Sequence, residues 1–238
     1  MKYLGDSYLY PVCTKSDFSN IFHNTYLEKT NTPKLIIKGL TLLDVCSDEV
    51  GNIIPGKSTL IIKNKDINIL KFLLSFLNSS HPIFYITEKY SSMTYNGGIT
   101  FTKDMFNNLP IPSINNKTRQ IFIEYSTIQI KMRENIQKIA NKFLKLLKAE
   151  YQNTNITSKL NGWYELDWKQ FTNELKKQKI VLSGSQKDDW FERFNRVSTE
   201  IKELQKTIAE TDKQIDSLVY KLYNLTNEEI QIIESITS

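Results

Sequence analysis

Residue types that could do chemistry are few in this sequence. It holds two histidines, His23 and His81, and two cysteines, Cys13 and Cys46, with no Cys-x-x-Cys. These cannot assemble a four-ligand zinc site of the usual spacing, nor a Ser/His/Asp or Cys/His nucleophile set. His23 reads as a helix-surface residue, His81 as a cap ahead of Pro82, and the cysteines as reduced core or surface residues. Methyl transfer to a base amino group needs an Asn/Asp/Ser-Pro-Pro-Tyr-like loop for the flipped base and a Gly-rich strand-to-helix turn for the donor. The chain has neither, and Gly97-Gly98 reads as a turn. Glu174-Leu175-Lys176 matches the Glu-x-Lys of metal-dependent nucleases, but it sits in a helical pattern beside Lys177 and Lys179. Asp188-Asp189 and Glu228-Glu229 fall at helix starts, where the helix dipole accounts for them. The expectation is a binder, with no catalytic residue, metal site or cofactor in this chain.

Residues suited to nucleic acid remain. Residues 1–112 contain no arginine and no glutamine, so the commonest guanine reader and one of the two adenine readers are missing there. Base readout would fall to Lys, Asn, Ser/Thr and Asp/Glu. The candidate reading loop is Lys89 to Asn96: Lys89, Ser92, Thr94 and Asn96 supply donors and acceptors, and Tyr90 and Tyr95 supply stacking or sugar contacts. A plain exposed connection is the competing reading of that loop. Lys34, Lys38, Lys57, Lys63 and Lys103 read as phosphate contacts or solvated strand ends. Arg119 and Arg133, on a basic helix, read as surface ion-pair residues or as guanine contacts in a major groove.

The elements that must hold these residues divide near Pro112. Before it, the pattern changes every few residues, as in a mixed α/β domain. Lys34–Lys38, Leu42–Cys46 and Ser58–Lys63 read as strands, bounded by Gly39, a turn at Ser47–Asn52, and Pro55-Gly56. Asp66–Leu77 has apolar residues at 67, 70, 73, 74 and 77, one helix face, with Asn64 or Asp66 as cap. A short helix follows from Pro82, then a polar loop. Thr102 caps a single turn, and Leu109-Pro110-Ile111-Pro112 forces an extended exit.

From Asn116 to about Glu150 the periodicity is helical, through Ile121, Tyr125, Ile128, Met132, Ile136, Ile139, Phe143 and Leu146. A shorter helix carries Trp163, Leu166, Trp168, Phe171 and Leu175, and Ser183-Gly184-Ser185 breaks the chain. Phe194, Val197, Ile201, Leu204, Ile208, Thr211, Ile215, Leu218, Leu222 and Leu225 then form a heptad seam. Thr226 with Glu229 makes a capping box for a final helix. The class is therefore α+β: a mixed α/β head over 1–112, then a helical domain over 113–238. Its two long helices, about 116–150 and 188–225, are antiparallel and coiled-coil-like, with a helical excursion between them.

Charge supports the helix pair. The whole chain carries +5, with a pI near 8.9, which permits a polyanionic partner without demanding one. Residues 113–160 hold nine Lys/Arg against three Asp/Glu, whereas 161–238 hold eleven against fourteen. Complementary packed faces explain this, and so does a basic helix beside a phosphate backbone. The longest apolar runs are interrupted well short of the roughly 20 residues a membrane span needs. The N-terminus has no apolar signal core. A cytoplasmic protein with no membrane partner is expected.

Several stretches resemble the TaqI-like C-terminal specificity domain of fused, type IIG restriction-modification enzymes. They are Lys34-Leu35-Ile36-Ile37 with Thr59-Leu60-Ile61-Ile62; Leu70 through Leu77-Asn78-Ser79; Gly97-Gly98-Ile99-Thr100-Phe101 leading to Leu109-Pro110-Ile111-Pro112; Trp163 with Leu166-Asp167-Trp168; and Asp216 through Thr226. The resemblance implies a prokaryotic DNA target-recognition domain, related to type I specificity subunits. It implies double-stranded DNA as partner, and methyltransferase and nuclease domains in the same polypeptide or complex. S-adenosylmethionine and a divalent metal would belong to those upstream domains. A different class remains open: a coiled-coil protein interaction module without sequence-specific DNA binding.

Overall fold

The computed structural model of the protein describes residues 3–4, 31–41, 43–56, 59–90, 94–95, 98–152 and 155–237, with backbone only for 3–4, 40–41, 94–95 and 98. It is α+β, as the pattern predicts: short strands and helices, then two long helices, with short helical pieces between them. It forms two compact units, one of residues 1–130 with 211–238 and one of 131–210.

The first unit holds strands β1 (Tyr3–Leu4), β2 (Lys34–Lys38), β3 (Leu40–Thr41), β4 (Val45–Asp48), β5 (Thr59–Lys63), β6 (Thr94–Tyr95) and β7 (Gly98–Thr100). One sheet runs β1-β4-β2-β5 and a second β3-β7-β6. Strand β2 is central and antiparallel to both neighbours, with Ile36 opposite Cys46 on one side and Ile61 on the other. Its run of β-branched residues suits a strand covered on both faces, and Leu35, Ile36 and Ile37 are all buried. The strand expected at Leu42–Cys46 lies later, at Val45–Asp48, because Asp48 both ends it and builds the following turn. Its carboxylate accepts from the N–H groups of Gly51 (2.8 Å), Asn52 (3.0 Å) and Ile53 (2.9 Å). Gly51 has φ +77°, and a Cβ there would meet the Thr32 backbone nitrogen at 2.7 Å, so the turn requires glycine.

Helix α1 (Ile67–Leu77) is capped by Asp66, which accepts from Asn68 N–H. It buries more than one face. Asn78 at its end bonds both backbone groups of Val45, at 3.1 and 2.9 Å. On another side Ser75 Oγ donates to Phe122 O at 3.0 Å, and Phe72 meets Phe122 edge-on at 5.4 Å. Helix α2 (Ser80–Lys89) begins two residues before Pro82, so His81 is a buried first-turn residue and not the cap expected of it. Helix α3 (Lys103–Asn107) follows Thr102 as predicted, although the Thr102 hydroxyl makes no capping bond.

Helix α4 spans Asn116–Glu150, as predicted. Its buried line is not the predicted one: Phe122, Ser126, Gln129, Ile136, Ala140, Phe143, Leu144 and Leu147 are buried, whereas Leu146 is 42% exposed. Polar and small residues on that line hid it from a search for large apolar ones. Helix α7 spans Gly184–Leu222 and starts earlier than the heptads suggest, because Ser183 and Gln186 bond each other across its first turn. Just past its end, Asn224 has a left-handed φ of 52° that lets Leu225 N–H reach Tyr220 O at 3.1 Å. The Thr226–Glu229 capping box then opens helix α8 (Asn227–Thr237). Phe122, Ile215 and Val219 share one core with the strands and α1, so the head expected to close at Pro112 extends into the first unit's portions of both long helices.

The second unit pairs the later part of α4 with the earlier part of α7, antiparallel. Trp190 Nε1 donates to Glu150 Oε1 at 3.0 Å near one end, and Lys138 and Glu203 line a common groove further along. Between them the expected single excursion helix is three pieces: α5 (Ser158–Asn161), a 3-10 turn (Trp163–Glu165) and α6 (Trp168–Lys177). Asp167, which forms a capping box with Gln170, imposes the break. All three tryptophans of the sequence lie in this unit. Trp163, fully buried, stacks on Phe143 at 3.8 Å.

Candidate nucleic-acid surface

The residues expected to touch DNA are not treated alike by the fold. Lys34 is fully buried and ion-paired with the buried Asp48, directly opposite it across the β2–β4 ladder. It is therefore no phosphate contact: the turn that Asp48 organises places a carboxylate where the strand end would otherwise meet water. Burial pushes the Asp48 carboxyl up, but the Lys34 bond, the Ile53 and Asn52 N–H groups and the Lys34 charge together hold it below the ordinary range. Lys38 is half-buried, and its N–H donates to Asp44 O at 3.0 Å. Lys63 is exposed at the end of β5 and Lys103 at the start of α3. Lys57, Ser92 and Asn96 lie outside the described residues, as do the side chains of Thr94 and Tyr95.

Arg119 is half-buried in the first turn of α4, in the first unit, whereas Arg133 is half-buried in the second.

The cluster that does form is at the end of α2. Lys89 is exposed, donates to Tyr85 Oη at 2.8 Å, and lies 5.0 Å from the Tyr85 ring centroid and 5.7 Å from that of Tyr90. The Tyr85 bond raises the pKa of the ammonium, against a smaller opposing effect of desolvation, and the two phenols add to the rise. No described carboxylate pairs with Lys89. Tyr90, the C-cap of α2, is half-buried against the core. Four residues on, Thr94 and Tyr95 form β6, with Thr94 opposite Ile99 and Tyr95 opposite Gly98. The predicted loop is thus in part a strand pair. Tyr85 went unnoticed in the sequence, although its position one helical turn before Lys89 was the available signal.

Phe101 N–H donates to Gly39 O at 2.9 Å, extending the β3–β7 pairing. Met105 and Leu109, just beyond, are buried in the same core. The elements either side of residues 91–97 are therefore anchored in the first unit's core.

Among the described residues no three His, Cys, Asp or Glu side chains come together as a metal site. No helix among them is long and apolar enough to cross a membrane. Residues 115–219 match the model of a domain of unknown function, DUF8810. That span starts one residue before α4 and ends inside α7 at Val219, so it takes in the helix pair and its excursion. No curated protein matches the chain.

Proposed function

We propose that this chain is a sequence-specific double-stranded DNA recognition module, the specificity part of a restriction-modification methyltransferase and endonuclease. It would place catalytic domains of the same polypeptide or complex on their target. S-adenosylmethionine and a divalent metal would be bound by those domains. One observation carries the reading: an exposed ammonium, Lys89, is held by Tyr85 and Tyr90 at the end of α2, with no described carboxylate to neutralise it. A cation held without a counter-charge is arranged for an anionic partner, and an adjoining phenol suits sugar or base contact. Lys103 and Arg119, in the same unit, add cationic side chains for phosphate contacts. Further support comes from the stretches that carry the resemblance. The Leu70–Ser79 and Asp216–Thr226 segments both contribute to the first unit's core.

Duplex binding followed against salt concentration tests the proposal. A recognition module loses affinity steeply as salt rises, since each phosphate contact adds roughly 0.9 to the slope of log K against log salt. An interaction module, the alternative, would bind duplex weakly with an almost flat slope.

A further inference from the structure

A trough between α4 and α7 in the second unit has an occupant that the same chain can supply. Its floor is apolar: Ile139 and Val197 are half-buried, and Leu146 is 42% exposed. Its walls are basic at one end, where Lys142, Arg193 and Arg196 stand without a carboxylate partner among the described residues. A second groove, lined by Asn135 and Lys138 and sharing Ile139 and Glu200 with the first, continues it. From Asn135 to Leu146 the trough runs about 16 Å along α4, at roughly 1.5 Å per residue. Phosphates would satisfy the walls but gain nothing from the floor, whereas an acidic amphipathic helix would use both.

Helix α8 has that character. Its Ile232 and Ile236, one turn apart, are 53% and 46% exposed. Glu228, one turn earlier on the same face, is also exposed. With eleven residues, α8 is about 16 Å long, the length of the trough. We propose that α8 of a second copy of this chain seats in the trough, with Ile232 and Ile236 on its floor and Glu228 toward Arg193, Arg196 and Lys142. Each copy offers one trough and one helix, so the contact either joins copies head to tail or closes reciprocally into a two-fold pair. The inference is independent of DNA recognition.

Complementation by sedimentation velocity on the full chain tests it. The wild-type chain should associate increasingly up to about 100 μM, the range expected of one small helix-in-groove contact. Leu146→Glu with Val197→Glu spoils only the trough, and Ile232→Lys with Ile236→Lys spoils only the helix. Each double variant alone should sediment as a monomer, and an equimolar mixture should give a complex of two chains and no larger. All four positions are exposed or half-exposed, and unchanged far-UV circular dichroism checks that each variant folds. Three results overturn the proposal: a monomeric wild type throughout, which leaves the trough to another acidic partner; variants that associate like the wild type; or a mixture that stays monomeric.

Discussion

Asp216 of α7 caps α2 from 136 residues away: its carboxylate accepts from Ser80 N–H at 2.7 Å and from Ser80 Oγ at 3.1 Å. Ser79, the formal cap, gives its hydroxyl to Phe76 O at 2.6 Å, so α2 has no side-chain cap of its own. One α7 turn on, burial above all, with the charge of Asp216, pushes the Tyr220 phenol up to about 12. Tyr223 then stacks on His81 at 3.9 Å and donates to Pro110 O. The end of α7 and the residue that follows it thus fasten the start of α2 and the Leu109–Pro112 exit together.

Removing that remote cap should cost what removing an N-cap costs. Asp216→Ala is expected to lower the unfolding free energy by about 1–2 kcal/mol. Ser80→Ala, which removes the hydroxyl and keeps the backbone N–H, should cost less. Urea unfolding of the two single variants and the double variant should show positive coupling between the sites; strictly additive losses would count against the clasp.

Buried Lys34 and Asp48 give a stronger effect. Asp48→Ala leaves the buried ammonium without its carboxylate and the Gly51–Ile53 turn without its acceptor, a loss of about 3–5 kcal/mol. The pH dependence has a definite sign. Because the folded-state pKa of Asp48 lies below its ordinary value of 3.8, the stabilisation is complete above that value and is lost as pH falls through the lower, folded one. Acid titration of the unfolding free energy should therefore show a loss below pH 4 that Asp48→Asn reduces.

His81 acts in the same direction at milder pH. Burial lowers its pKa below 6.5, so the unfolded chain takes up a proton before the folded one does. Stability should fall as pH drops from 6.5 through the folded pKa. His81→Phe keeps a ring against Tyr223 and should flatten this dependence. Chemical denaturation of the wild type and the variant at pH 7.5 and pH 5.5 reads the difference.

Lys89→Ala should reduce the salt slope of duplex binding by about 0.9, the contribution of one phosphate contact. Tyr85→Phe keeps the charge but releases the ammonium from its 2.8 Å bond. It should weaken binding less and leave the slope unchanged. Anisotropy titrations across a range of salt concentrations read both quantities.

Long periodic elements were legible in the sequence and their deepest contacts were not. The bounds of α4 were readable because Pro110 and Pro112 exclude a helix before it and no proline or glycine interrupts it. Its buried face was not, because Ser126 and Gln129, both fully buried, are polar and leave no apolar mark in the pattern. Gln129 is accommodated by its bond to Asp212 at 2.9 Å, a pairing 83 residues apart in sequence. Lys34 misled for a related reason: a lysine opening a strand reads as solvated unless the opposing residue is known, and that residue, Asp48, is fixed only by the β2–β4 register. Among the described candidate DNA contacts, Lys89 and Tyr90 are brought together, joined by Tyr85.

Selection from a random duplex pool tests the central claim most directly. Sequence-specific recognition predicts enrichment of one short, asymmetric motif, and Lys89→Ala should weaken or broaden it. Recovery of no enriched motif from the correctly folded protein would contradict the account.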